Sequence, residues 1–375
     1  INFAEIFLFF LSLAVAFYYA YLISGIYDGW EKSKETFVQK PLKHYHNFTI
    51  LIPARKEEDN IDMCLSSIEN LNYPASFIRV IVIDDHCSDN TKKLNKKFTS
   101  VDIIKNEGKG KKDAITTGVN AANSDYIITL EADCTVHPDL VLLYNQKILN
   151  NPKLLFIAGG VIFDEKKGVV GWFQGLDILS LMASTAYGIH NYAFYLANGA
   201  NMCFKRETFL AWTTFECNKN IHFGDDVFLI NKGSASRSSE AVSFLKSRRG
   251  AVIKQPGLTI SDLFQQRNHW AIKFNDYANS KLVHIQGTVF FIHFFALVLL
   301  VLTFWQPLSA FLLFLLLMIK AVIDYLFLIR MASFYQVKWS VPGFITTTFF
   351  YYPYIFYIAV TTLVRGLYEW LKKKD

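Results

Sequence analysis

Residues 3–27, FAEIFLFFLSLAVAFYYAYLISGIY, run for about 25 residues with Glu5 as their one charge. A helix of that length, at ~1.5 Å rise per residue, exceeds a hydrocarbon core of ~30 Å, so the stretch is expected to cross a membrane. It has neither a basic leader nor a clear small-residue cleavage site, and it is too long for the apolar part of a secretory signal. It is therefore expected to be retained as an anchor. Three further apolar runs, 287–305, 308–329 and 341–364, crowd the other end of the chain. Between them the sequence is mixed enough for a water-facing domain. The expected organisation is a transmembrane helix over 1–29, a globular domain over 30–280 and a C-terminal transmembrane region over 281–375.

Lys32, Lys34, Lys40 and Lys43 follow the first apolar run, and the excess of cations beside a membrane segment marks its cytoplasmic side. The globular domain is therefore expected in the cytoplasm, in a multi-pass protein of the cell membrane. Four crossings would carry the final LYEWLKKKD outside, against its lysines. Pro342 and Pro353 make the last run the one expected to be broken or re-entrant. The net charge is +6, and no basic stripe interleaved with aromatics points to nucleic acid. Cys64, Cys87, Cys134, Cys203 and Cys217 show no metal-ligand or CxxC spacing, which fits a reducing compartment and small core residues.

Within the central domain, FTILIPARKEED (48–59) is a β-branched run stopped by a polar loop, and Ile61, Cys64, Leu65 and Ile68 follow at helical spacing. The unit repeats in IRVIVIDDHCSDNT (78–91), in VDIIKNEGKGKKDAITTGVNAAN (101–123) and in DYIITLEADC (125–134). Strands alternating with helices predict an α/β fold with a mostly parallel sheet covered on both faces. Ligands of such sheets bind beyond the carboxyl ends of the strands. Those ends carry Arg55 and Glu57, then Asp84 and Asp85, then Glu131 and Asp133. One acidic pair in a loop is ordinarily just solvated. Three sets at equivalent strand ends point to a site.

Clustered carboxylates without a His or Cys partner suit a hard divalent cation, Mg2+ or Mn2+, which takes phosphate oxygens as further ligands. That implies a phosphorylated substrate. In EGKGKKD (107–113), Gly108 and Gly110 allow close backbone approach, and Lys109, Lys111 and Lys112 add positive charge near a helix start. The loop is not a P-loop, since no Gly-Lys-Ser/Thr follows at the required spacing. A further pair, Asp225 and Asp226, lies in HFGDDVFLINK (222–232), where one acid serves equally as a helix N-cap or as a rigidly held general base. Residues 168–197 are apolar and aromatic yet interrupt the domain, and they suit either an interfacial helix lying on the bilayer or a buried core helix.

The order Ile-Pro-Ala-Arg-Lys-Glu, Asp-Asp-His-Cys-Ser-Asp, Lys-Gly-Lys, Glu-Ala-Asp, Gly-Asp-Asp and Gln-x-x-x-Trp resembles the membrane-integral family 2 glycosyltransferases, inverting enzymes with the GT-A nucleotide-diphospho-sugar-binding fold. The resemblance covers about 48–275. It implies transfer of a sugar from a nucleotide-diphospho-sugar, most commonly a UDP-sugar, to an acceptor hydroxyl. By it, Asp84 lies beside the base with Arg55, Glu57 and Asp85 near, and Lys109 lies on the base or diphosphate side. Asp133 is the metal-binding second acid of the Asp-x-Asp motif, whose first acid is Glu131 here. Asp226 is the catalytic base and Asp225 its acidic neighbour. Gly199 and Asn201 lie on the acceptor side near the reacting sugar. Gln266, Arg267, His269 and Trp270 form the acceptor-side Gln-x-x-Arg-Trp motif, with His269 where the family has arginine. Ceramide-glucosyltransferase-type members share this ending and membrane layout, so the resemblance favours a lipid or lipid-linked acceptor. A processive polysaccharide synthase is the alternative, and a partner subunit completing a polymer channel would restore it. A catalytically silent sugar-nucleotide-binding membrane protein is the reading of another class, against which the intact acids stand.

Overall fold

Four strands make up the first half of the globular fold: β1 (Phe48–Ala54), β2 (Ile78–Asp84), β3 (Val101–Lys105) and β4 (Tyr126–Leu130). All four are parallel neighbours in the order β3-β2-β1-β4. The computed structural model describes residues 3–39, 41–42, 44–55, 60–85, 97–165, 168–215, 230, 239–257, 259–265, 267 and 279–372. Ile50, Leu51, Ile52, Ile81, Val82 and Ile83 are fully buried, which is why β1 and β2 read as apolar runs. The helices Ile61–Glu69 and Gly110–Ala121 make the crossovers, the second placing Ala114, Ile115 and Val119 in the core.

The later strands are β5 (Cys134–Thr135), β6 (Phe156–Gly159), β7 (Val161–Phe163), β8 (Asn201–Lys205), β9 (Val242–Leu245) and β10 (Val252–Lys254). β8 enters the main sheet antiparallel to both β4 and β6, giving seven strands in the order β3-β2-β1-β4-β8-β6-β9. A second sheet has the order β5-β10-β7, with β10 antiparallel to β5 and parallel to β7. This small sheet hangs beyond the carboxyl end of β4, where it sets one wall of the site. Residues 32–164 and 188–256 form one compact unit, and residues 1–31, 165–187 and 257–375 form another.

Five helices in the described residues are long and apolar enough to cross a membrane: Phe3–Lys32, Val169–His190, Ser280–Leu302, Pro307–Tyr335 and Val341–Val364. The segment expected to be broken instead continues as one helix, Val341–Lys372, with Pro353 inside it. Pro342 sits in the first turn, where its missing N–H costs nothing, and Pro353 removes a single bond from a long ladder. The helix Val169–His190 buries Phe173, Ile178, Leu179 and Ala183. The Phe173 ring packs against Phe350, Tyr351 and Tyr354 of the last helix, with centroids 5.1, 5.5 and 4.9 Å away. Inside the same unit, Tyr19 Oη donates to Asp324 Oδ1 at 2.6 Å and the Lys320 ammonium meets Asp324 Oδ2 at 2.5 Å. Paired charges of this kind are the form in which ionisable groups survive among apolar helices.

Candidate active site

The carboxyl edge of the parallel sheet is organised first by Asp85, the residue after β2. Its side chain is buried, and it accepts from Gly110 N, at 3.1 Å to each carboxylate oxygen, and from Asn106 Nδ2 at 2.7 Å. Gly110 has φ of +84°, a conformation that strains any residue with a Cβ. Asp85 thus holds the turn 106–110 against the end of β2. Its carboxylate is engaged by that turn. The Arg55 guanidinium, 69% exposed, lies 3.9 Å from Asp85 Oδ2. Asp84 closes β2 beside them, partly exposed, and its carbonyl accepts from Asn106 N at 2.9 Å. Lys109 is the residue before the helix Gly110–Ala121, and its backbone N–H donates to Asp113 Oδ2 at 2.9 Å. Asp113 also explains Gly108, since a Cβ there would stand 2.2 Å from Asp113 Oδ2. The close backbone approach read from this glycine is made by the protein's own carboxylate.

The acids after β4 form the centre. Glu131, Asp133 and Cys134 place one ligand atom each within 4.8 Å of one another. Lys254 reaches between the two carboxylates from β10: its ammonium bonds Glu131 Oε2 and lies 3.2 Å from Asp133 Oδ2. Lys111 bonds the other Glu131 oxygen. Burial alone would raise the Glu131 pKa, but the charges of Lys111 and Lys254 outweigh it and hold the carboxyl well below the usual range. Burial would likewise lower Lys254, yet Glu131 and Asp133 push it well above an ordinary lysine. Burial, then the charges of Glu131 and Asp133, drive the Cys134 thiol up, so it stays neutral. The usable donors are then carboxylate oxygens, the ligand type that suits a hard divalent cation, and the Lys254 ammonium lies between them. Lys254 was not singled out from sequence. It lies 123 residues from Glu131, and only the pairing Lys254↔Cys134 between β10 and β5 brings it there.

On the expected acceptor side, Asn201 and Arg267 are both buried. Asn201, at the start of β8, is fully buried. Its Oδ1 accepts from Tyr144 Oη at 2.7 Å, and its Nδ2 donates to the carbonyls of Gly160 at 2.7 Å and Gly250 at 2.9 Å. Both polar atoms of this amide are engaged inside the protein, where it ties Tyr144 to two carbonyls. Arg267 is also buried, with its guanidinium 2.5 Å from Asp177 Oδ2 of the helix Val169–His190. The ion pair ties residue 267 to that helix. Gly199 is buried as well, and its carbonyl accepts from Thr129 Oγ1 at 3.1 Å, next to β4. Glu57, Asp225, Asp226, Gln266, His269 and Trp270 lie outside the described residues.

A mostly parallel sheet with acids at its carboxyl edge and β8 inserted antiparallel is the GT-A architecture of nucleotide-diphospho-sugar transferases. Residues 49–209 match the family model Glycosyl transferase family 2. The chain is 27% identical over 230 residues to the probable glycosyltransferase YdaM of Bacillus subtilis, covering 57% of this chain and 52% of that one. It is 26% identical over 186 residues to the poly-beta-1,6-N-acetyl-D-glucosamine synthase of Staphylococcus epidermidis, covering 47% and 44%. These matches span about half the length of the relatives. Among solved structures, the mannosyltransferase PcManGT of Pyrobaculum calidifontis, in complex with GDP-Man and Mn2+, superposes with a TM-score of 0.59 at 16% identity, over 95% of this chain and 99% of that one. At that identity the likeness is one of fold.

Proposed function

We propose that this chain transfers a sugar, with inversion, from a nucleotide-diphospho-sugar, a UDP-sugar in the first instance, to a membrane-associated lipid or lipid-linked acceptor. The observation that carries the reading is the acidic pair Glu131 and Asp133 at the sheet's carboxyl edge, bracketed by Lys111 and Lys254. A divalent cation, Mg2+ or Mn2+, held by Asp133 with Glu131 beside it, would supply Lewis-acid stabilisation of the departing diphosphate. Asp84, Arg55 and Glu57 border the base, and Asp85 serves them by fixing the turn that carries Lys109. Lys109 and Lys111 add fixed positive charge where negative charge grows on the leaving group. Asp226 takes the proton from the acceptor hydroxyl as its oxygen attacks the anomeric carbon opposite the diphosphate, and Asp225 flanks that base. His269, Trp270 and Gln266 line the acceptor side, with Trp270 as an apolar platform for a sugar ring. The lysines after the first apolar helix put the domain on the cytoplasmic face of the cell membrane.

A second reading, a polysaccharide synthase, is favoured by the poly-beta-1,6-N-acetyl-D-glucosamine synthase relatives. One experiment separates the two. The purified chain, in detergent with native lipid extract, is incubated with a panel of nucleotide sugars and the products are weighed by mass spectrometry. A lipid heavier by one hexose supports the first reading, and a long polymer supports the second. Asp226→Asn is expected to abolish transfer while donor binding persists. Absence of nucleotide release with every donor, in Mg2+ and in Mn2+, would defeat both.

A further inference from the structure

We propose that Lys254 is the built-in counter-cation of the Glu131–Asp133 pair, and that a divalent ion enters this site by displacing its ammonium, so that ion binding stays weak until a nucleotide diphosphate arrives. The inference rests on the sugar-nucleotide reading above and adds a residue and an order of binding to it. Its basis is geometric. β10 is held on both sides, Lys254 pairing with Cys134 of β5 and with Phe163 of β7. Two further backbone bonds, Gln255 N to Asp133 O at 3.2 Å and Asp164 N to Lys254 O at 2.9 Å, fix the stem. From that base the side chain, 15% exposed, sets its ammonium between the two carboxylates, on the faces that a shared cation would use.

Charge balance sets the order of binding. Among the described residues in contact here, the two carboxylates meet two ammonium groups, Lys111 and Lys254, so the charges of these four groups sum to zero. An ion arriving alone would add two positive charges beside two lysines. An ion arriving with a diphosphate brings its own negative charge, and the ammonium it displaces gains phosphate oxygens as new partners. A lysine suits that exchange because its four-carbon stem is flexible and its charge is a compact point. Lys111, 42% exposed and bonded to the outer oxygen of Glu131, does not need to move.

The test measures Mn2+ binding, by the paramagnetic resonance signal of free ion, to the full chain in detergent with and without UDP. Wild type is compared with Lys254→Met, which removes the charge, with Lys254→Gln, which keeps a donor for the carboxylates should the methionine variant fold poorly, and with Lys254→Arg, which keeps the charge. Without UDP, both uncharged variants are expected to bind Mn2+ about tenfold tighter than wild type, the effect of removing a unit charge ~6 Å from a dication in a water-like dielectric. The arginine variant is expected to bind as weakly as wild type. UDP should tighten Mn2+ binding strongly in wild type and less in the uncharged variants by the same factor. Unchanged or weaker Mn2+ binding in both uncharged variants would overturn the proposal while leaving the transferase reading intact. No Mn2+ binding by wild type even with UDP would defeat the metal-assisted reading and this proposal with it.

Discussion

Replacing Asn201 with alanine separates a structural tie from an acceptor contact. The amide sits at zero exposure and is bonded to Tyr144 Oη, Gly160 O and Gly250 O, three groups that the truncation leaves without this partner. The Gly160 carbonyl still accepts from Val252 N, so two groups are left unsatisfied, and at ~1–3 kcal/mol for each the lower bound is about 2 kcal/mol, with some relief where water enters the space. For a unit of this size each kcal/mol moves the midpoint by ~2–4 °C, which predicts a fall of roughly 4–8 °C. The neighbourhood has no slack, because a Cβ on Gly159 would stand 2.3 Å from Asn201 Nδ2 and 2.6 Å from Tyr144 Oη. The assay is thermal unfolding of the purified chain in detergent, paired with acceptor KM on the material that stays folded. Tyr144→Phe removes one of the three bonds and should lower the midpoint by a smaller step. In the double variant the two losses should sum to less than their separate values, since they share a bond. A midpoint within ~2 °C of wild type for Asn201→Ala, together with a raised acceptor KM, would refute the tie and return Asn201 to the acceptor side.

Arg267→Gln leaves Asp177 as a buried charge without its cation and should cost about 3–5 kcal/mol in thermal or denaturant unfolding. The pair Asp177→Leu with Arg267→Met should recover most of that, and a loss under ~1 kcal/mol in the single variant would show the ion pair to be dispensable. Burial, then the nearby charge of Lys34, lowers the Lys147 pKa to about 8. The unfolded lysine titrates near ~10.4, so the penalty for charging it in the fold is full below pH ~8 and gone above pH ~10.4. Lys147→Met should therefore stabilise the chain at pH 7 by no more than about 3 kcal/mol, and the gain should shrink in unfolding curves taken at rising pH. A gain independent of pH would assign the effect to packing. His269→Arg should change acceptor preference in product analysis more than nucleotide-sugar affinity, and the reverse pattern would move His269 to the donor side.

Of the parallel half, β1, β2 and β4 were legible because their interiors are buried, which writes each as an apolar run cut off by charge, whereas the edge strand β3 carries Asp102 exposed within it. The acids at their ends stood out for the same reason: Asp84, Asp85, Glu131 and Asp133 follow directly on such runs. Residue type could not say which way those side chains are engaged. Asp85 turns to Gly110 and Asn106, Asn201 to Tyr144 and two carbonyls, and Arg267 to Asp177. Each partner is remote in sequence or hidden in a turn, so no local pattern announces it. Pro353 misled in the opposite direction, because one lost bond is small against the rest of a helix of 32 residues.

The sequence by itself determined the long apolar helices at the two ends, the alternation of strand and helix, and the acidic edge of the sheet. These follow from hydrophobic period and run length, which act over a few residues. Only the tertiary structure decided the antiparallel entry of β8 and the small sheet that carries Lys254 to the acids after β4. Strand pairing joins segments more than a hundred residues apart, and its register depends on what the whole core can bury. The charge balance of the candidate site is therefore a property of the fold, set where β10 meets β5.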